Sequence, residues 1–441
     1  MMKPRLLPLY FDPGRDDGFD RQLAVLKHLL GGRAEFLTPA PLGGPLPEAD
    51  AVVFPQLLGE AYRRADAFRS IGLPILIITS EFGTLSMWDW EIIRWLKSEG
   101  VETISPYRLE QTRKIVDALG VKRELRHARF LVYQDDPGDG AQAAIFKRFY
   151  WWEDACTRRI RERFGVEVVK RSFRELGARA ASIADAEADR ACESWNLPTE
   201  EVEPRALRSA VKMYLAVRSD LDADAGIRAV GMNCLNESHF CDTTPCLAWN
   251  MLFEERGVIW GCEGDTLSML TKYLLHKSLG APIMMTNLYP FLMGEAALSH
   301  ERIKGFPQVR GDVADYILVA HCGYMGVIPR PFSTDWVLKR KVLAIVNDNA
   351  TAINARLPLG EVTLTKLGPT LGELSIVEGH LEQYWGYPGS DCLDGGVIRV
   401  RNGHRLMDAI YSHHYLLMTG RHAADMRFLG KVFDLTIEET T

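Results

Sequence analysis

The chain has 441 residues, 47% hydrophobic and 25% charged, and a formal net charge of −6 at pH 7. That length suggests roughly three domains at about 150 residues each, and the composition is ordinary for a globular protein. The acidic balance argues against a nucleic-acid partner, which asks for a basic face.

The first part repeats a strand-then-helix rhythm. Arg5 to Phe11 reads as a strand, and Phe19 to Leu30 as a helix that stops at Gly31-Gly32. Ala51-Val-Val-Phe54 is a second strand and Glu60 to Phe68 a second helix. Pro74-Ile-Leu-Ile-Ile-Thr79 is a continuous apolar run, as expected of a strand covered on both faces. Met87 to Leu96 is helical, and Phe130-Leu-Val-Tyr133 opens another unit. Val166-Glu-Val-Val169 begins a second block. Helices follow at Glu175 to Ala191 and Ala206 to Leu221, then a strand at Gly226 to Gly231. Thr244 to Glu255 and Thr266 to Leu279 are helices, Val258 to Gly261 and Pro282 to Met285 strands. From about Asn347 short strands between Gly- and Asn-rich turns take over: Glu361 to Thr365, Leu374 to Val377, Gly396 to Val400 and His414 to Met418. Ala423 to Phe433 closes the chain as a helix.

The fold class expected is therefore α/β: two α/β domains with parallel sheets, Rossmann-like, followed by a C-terminal antiparallel β-barrel-like domain. The boundaries fall at residues 1–170, 171–346 and 347–441.

The eight cysteines lack the density of a disulfide scaffold, and free thiols in a reducing cytoplasm are expected. No signal peptide is expected, because the Leu6 to Phe11 run is short and acids follow at Asp12 and Asp16. The apolar runs stop short of the ~18 residues of a membrane span. Cys234, Cys241, Cys246 and Cys262 crowd one region, but they form no C-x-x-C pair. Glycine-rich nucleotide signatures, G-x-S-x-G and H-E-x-x-H are absent, which weakens dehydrogenase, kinase and hydrolase readings.

Two polar segments follow strands, Asn233-Cys-Leu-Asn-Glu237 and Cys262-Glu-Gly-Asp265. Glu237 and Asp265 stand 28 residues apart, one strand–helix–strand crossover, so adjacent strand tips present them side by side. Open α/β sheets place ligands there. Two such carboxylates repel unless a cation lies between them. The alternative is that both are helix N-caps, a place that suits Asp265. Ser412-His-His414-Tyr adds an imidazole. Adjacent strand residues face opposite sides, so one of His413 and His414 points into a site, and pattern does not choose. A structural histidine in the β-domain core is the alternative. Two carboxylates with one imidazole suit Mn²⁺ or Mg²⁺ better than a thiolate zinc site. Positions left open on the ion would take two oxygens of a polyhydroxylated substrate, so metal-assisted proton transfer on a sugar is the leading reading. His321, after the strand Tyr316 to Val319, is a candidate for a further ligand or a substrate contact, or equally a partner of a backbone carbonyl; Asn287 and Trp385 are further candidates for substrate contact, with Tyr289 and Tyr387 as other aromatic walls. Arg330, between two prolines, is a candidate anion contact or a solvated turn.

These segments, with Pro245-Cys-Leu-Ala248 and His413-His-Tyr-Leu-Leu-Met-Thr-Gly420, resemble the L-fucose isomerase family and its fucose isomerase-like relatives. The resemblance covers roughly Gly226 to Leu279 and His413 to Asp425. It implies metal ligation by Glu237, Asp265 and His414, the tail match preferring His414 over His413. It also implies Mn²⁺, with Mg²⁺ or Co²⁺ as substitutes, and a homo-oligomer, trimer or hexamer, whose sites borrow residues from a neighbour. Tyr415, Asn287 and the lack of a C-terminal extension depart from the family pattern. The activity implied is aldose–ketose isomerisation of a free sugar, such as a 6-deoxyhexose or pentose, through a cis-enediol. Glu237 would be the base and Asp265 the acid. The alternatives are a metal-dependent lyase or epimerase on a related polyol or sugar acid, and a non-catalytic sugar-binding protein on the same scaffold.

Overall fold

The computed structural model describes residues 2–11, 14–56, 59–135, 153–290, 308–321, 324–340, 348–386 and 395–440. Tyr387, Cys322 and Cys392 fall outside these residues. Two units form. One comprises Met1–Arg126, Lys277–Gly280 and Ala424–Leu435, the other His127–His276, Ala281–Ala423 and Thr436–Thr441.

The first unit is built on a parallel sheet. Its strands are β1 (Arg5–Tyr10), β2 (Glu35–Phe36), β3 (Ala40–Pro41), β4 (Ala51–Phe54) and β5 (Ile75–Ile77). Their order is β2-β1-β4-β5, with β3 also on β1. Every residue of β4 and β5 is buried, which is why both read as unbroken apolar runs. Helix Asp17–Leu30 buries Phe19, Leu23, Leu26 and Leu30, one stripe at helical spacing. Asp16 caps its start by accepting from Phe19 N at 2.7 Å, and Gly31 ends it in the left-handed region. The expected helix from Glu60 to Phe68 is a 3₁₀ turn, Ala61–Arg63, and a short helix, Ala65–Arg69. Helix Leu109–Leu125 has no counterpart among the expected elements. Its buried residues include Gln111, Thr112, Gly120 and Glu124 beside Ile115, Val116 and Leu119, so no clean apolar stripe announces it. From Ala424 on, the closing helix belongs to this unit: Lys114 pairs with Asp425 at 2.7 Å, and Lys122 Nζ donates to Val432 O at 2.6 Å.

The second unit opens with β6 (Arg129–Tyr133), β7 (Glu167–Arg171), β8 (Thr199–Glu200), β9 (Ile227–Met232) and β10 (Ile259–Gly261). Four of these make a parallel sheet ordered β10-β9-β6-β7. The chain steps from β6 outward to β7, then crosses back to β9 and on to β10. The strand order thus reverses between β6 and β9, and the crevice outside their C-terminal ends is where such sheets bind ligands.

The remaining strands are β11 (Ile283–Pro290), β12 (Tyr316–Ala320), β13 (Asp335–Arg340), β14 (Thr351–Arg356), β15 (Gly360–Leu367), β16 (Glu373–Trp385), β17 (Gly395–Val400), β18 (His414–Thr419) and β19 (Thr436–Glu439). Six of them, in the order β15-β18-β11-β12-β17-β16, pair antiparallel, and β15 pairs back to β16 to close a barrel. Closure removes the exposed edges of an open sheet. β19 runs parallel to β16, and β13 joins β14 and β8 in a small separate sheet. The sequence pattern ends the second α/β block at 346, with β11 and β12 inside it; the structure places both in the barrel. A fully buried barrel strand and a fully buried parallel strand carry the same continuous apolar run, so the run does not name its partner.

The barrel wall is tight where β12 meets β17. A Cβ on Gly395 would overlap the carbonyl oxygen of Val319 and press on Ala320 Cβ. Gly395→Ala is expected to destabilise the chain by about 1–3 kcal/mol, read as a lower urea midpoint. An unchanged midpoint would show that this wall yields. No helix among the described residues is long and apolar enough to cross a membrane.

Candidate metal centre

The three strands β18, β11 and β12 lie side by side, with His414 paired to Asn287 and Asn287 to Ala320. His414 opens β18, and His321 follows the last residue of β12. Both histidines therefore sit at one end of the barrel, one strand removed from each other. Their rings converge to a centroid separation of 5.6 Å. Glu263 arrives from the other direction, in the turn after β10. Its Oε1 lies 3.1 Å from His321 Nε2 and 3.7 Å from His414 Nε2. Among the described residues these three form the one group of His, Cys, Asp or Glu whose ligand atoms all lie within 4.8 Å, and all three are buried. Metal–ligand distances of about 2.0–2.2 Å put neighbouring donors roughly 3–3.5 Å apart, so the spacing fits a small divalent ion.

The backbone at Glu263 is unusual. It has φ 55° and ψ 18°, the left-handed region, and Gly264 follows at φ 68°. A non-glycine residue held there costs on the order of 1 kcal/mol or more, and such strain gathers at functional sites. The turn carries the carboxylate off the strand axis toward the two imidazoles. Burial disfavours the Glu263 carboxylate, but the two imidazoles of His321 and His414 beside it outweigh burial and hold the carboxyl well below its ordinary range.

Asp265 stands behind His414. Its Oδ2 accepts from His414 Nδ1 at 2.9 Å, from Lys366 Nζ at 3.0 Å and from Ser268 Oγ at 2.7 Å. Its Oδ1 accepts from Ser268 N at 2.6 Å, the N-cap bond of helix Thr266–Leu279. Asp265 is thus the helix cap and at the same time the partner of His414. Burial pushes its carboxyl up, and the Lys366 ammonium and the His414 hydrogen bond bring it down further, below the ordinary aspartate range. A carboxylate that takes the imidazole's second nitrogen fixes the tautomer and aims the first nitrogen outward.

Glu237 ends the short helical turn Cys234–Glu237 after β9 and is buried. Asp135 N, just past β6, donates to its Oε1 at 2.9 Å and its Oε2 at 3.2 Å. The carboxylate therefore bridges the crevice between β6 and β9, at the point where the strand order reverses. It does not enter the converging group of Glu263, His321 and His414. The expected set of Glu237, Asp265 and His414 is brought together only in part: Asp265 touches His414, while the acid facing the Nε2 atoms of His321 and His414 is Glu263.

The other candidates divide. His321 is in the group. His413 lies beside it, its ring centroid 4.4 Å from that of His414, and burial pushes its pKa down to about 3. Asn287 donates to Tyr289 OH at 3.0 Å. Trp385 and Tyr289 pack against the cluster of Tyr316, Leu318 and Val397. Arg330 forks onto Glu254 at 2.6–3.1 Å. Cys234, Cys241, Cys246 and Cys262 are buried, and burial pushes the Cys241 thiol up to about 12.

Three residues escape a reading of the sequence. Glu263 is visible inside Cys-Glu-Gly-Asp, where a glycine after it hints at a left-handed turn. Lys366 and Lys272 give no signal. Both are wholly buried, and Lys272 Nζ donates to Trp260 O at 2.9 Å and stands 3.6 Å from the centroid of that indole. Compared with known proteins, the chain matches no family model and no curated protein.

Proposed function

We propose that this chain is a metal-dependent aldose–ketose isomerase, of the L-fucose isomerase type, acting on a free 6-deoxyhexose or pentose through a cis-enediol. The observation that carries the reading is the buried meeting of Glu263, His321 and His414, with the carboxylate of Glu237 in the adjoining sheet crevice. Glu263, His321 and His414 would hold a divalent cation. When bound, that cation supplies Lewis-acid stabilisation of the charge that develops on a substrate oxygen as a carbon-bound proton leaves.

Charge supports it. Glu237, Glu263 and Asp265 are three buried carboxylates, and Lys366 is paired with one of them. One divalent ion held by Glu263, His321 and His414 would neutralise Glu263, a relief that buried like charges require. Two imidazoles with one carboxylate form a more nitrogen-rich set than the expected one. That shifts the preference from Mg²⁺ toward Mn²⁺, Co²⁺, Fe²⁺ or Zn²⁺.

In this reading Glu237 takes the proton from C2 of the aldose and returns it to C1, while the hydroxyl proton of O2 passes to O1. A carboxylate ligated to a cation is a weak base, so an acid outside the ligand group suits the task better. Asp265, with its oxygens taken by His414, Lys366 and Ser268, orients the histidine instead of shuttling protons. The reading carries with it a homo-oligomer in the cytoplasm.

The test is turnover by the purified chain on a panel of pentoses and 6-deoxyhexoses. Activity should vanish after EDTA dialysis and return with Mn²⁺, and D₂O should leave deuterium in the product. A chain reloaded with one metal that interconverts no aldose and ketose overturns the isomerase reading. Dehydration or epimer formation in the same assay would select the lyase or epimerase alternative.

A further inference from the structure

Lys366 lies in β15, fully buried, and its ammonium meets Asp265 Oδ2 at 3.0 Å and Ser268 Oγ. Ser268 reaches the same carboxylate through both its N–H and its hydroxyl. Asp265, Ser268, Lys366 and His414 are each at most 1% exposed. Capping helix Thr266–Leu279 needs only the Ser268 N–H bond. A methionine or leucine in β15 would satisfy the barrel wall without the cost of taking an ammonium out of water. The lysine therefore needs another reason, and the geometry supplies one. Donors from a helix start and from a barrel strand hold the carboxylate, and the imidazole of β18 is the next group in line. Asp265 is thus pinned from two elements before it meets His414 Nδ1.

Resting on the metal reading above, we propose that Lys366 is a positioning residue: through Asp265 it holds His414 with its proton on Nδ1, so that Nε2 presents its lone pair beside Glu263 and His321. Lys366 touches neither metal nor substrate. It acts at two removes, with Ser268 as the brace that keeps ammonium and carboxylate in register. Outer partners of this kind commonly change metal affinity by 10–100-fold.

The test uses the full chain and Mn²⁺ alone. Wild type, Lys366→Met and Ser268→Ala are stripped of metal and titrated by calorimetry, and the histidine rings are read by ¹⁵N NMR in the metal-free state. The wild type should bind one Mn²⁺ and show a histidine signal of a ring protonated on Nδ1. Lys366→Met should bind Mn²⁺ 10–100-fold more weakly, with that histidine signal moved toward a tautomer mixture. Ser268→Ala should shift both readouts in the same direction by less, and it carries the test if Lys366→Met does not fold. Unchanged affinity and an unchanged histidine spectrum overturn the positioning role. A wild type that binds no Mn²⁺ overturns the metal reading instead, and the spectra then decide the Lys366 link by themselves.

Discussion

Glu263→Gln is expected to weaken Mn²⁺ binding about 10²–10³-fold, whereas Glu237→Gln should leave it nearly intact and remove turnover. The first magnitude follows from a four-ligand structural zinc site, whose roughly 10–16 kcal/mol gives about 2.5–4 kcal/mol per ligand. The amide keeps the shape of Glu263 but takes away the charge that faces His321 at 3.1 Å and His414 at 3.7 Å. Glu237 faces Asp135 N and lies outside the converging group, so losing its charge spares the ligands. As a general base it is worth about 10²–10⁴-fold in kcat. Metal content by mass spectrometry, Mn²⁺ affinity and kcat on the best sugar of the panel separate the two variants. The pair discriminates sharply between ligand sets. If Glu237→Gln lost the metal and Glu263→Gln kept it, the ligands would be those the sequence suggested, and the group of Glu263, His321 and His414 would not be the metal centre.

Lys272→Met is expected to raise stability at neutral pH and to flatten the alkaline side of the stability profile. Burial pushes the Lys272 ammonium down to about 7, with Cys262 and Asp265 pulling the other way and Lys366 adding to the burial. Its ordinary value is 10.5. Between those two values the unfolded chain holds the proton and the folded chain does not. Stability must therefore rise with pH across that window, by about 1.4 kcal/mol per unit for a single group. Below pH 7 both states are protonated, and the folded state bears the full cost of a buried charge, several kcal/mol in order of magnitude. Methionine fills the same space with no charge to bury. It gives up the hydrogen bond to Trp260 O and the cation's seat on the indole face, which offsets part of the gain. Urea midpoints measured from pH 6 to 10 on both proteins give the comparison. Parallel profiles would show that Lys272 stays charged in the fold, held by the indole and the carbonyl.

The two predictions rest on residues that the sequence reveals very unequally. Strand, turn and acid come in that order at both Asn233 to Glu237 and Cys262 to Asp265, and an α/β sheet puts functional groups after its strands. That makes the region legible. Which acid of Glu263 and Asp265 faces the histidines is not legible, because it depends on a backbone dihedral at Glu263 that a helix-start pattern hides. The N-cap pattern points at Asp265, and Asp265 is indeed the cap. Lys366 and Lys272 each follow a threonine in a mixed polar and apolar stretch, where a lysine ordinarily marks the solvent face.

Local periodicity alone determined that the chain alternates strands and helices, that its early sheets are parallel and that its end is rich in antiparallel strands. It also determined that acids stand at the sheet tips and that histidines occur near 321 and 414. Tertiary structure decided the rest. β15 pairs with both β18 and β16, and that closure makes a barrel of six strands drawn from residues 283 to 419. Only then do His321, His414 and Lys366 come to one end and meet Glu263 and Asp265 from the parallel sheet. Pairing of strands a hundred residues apart is chosen by the packing of whole faces, and each strand's own pattern is the same whichever neighbour it takes.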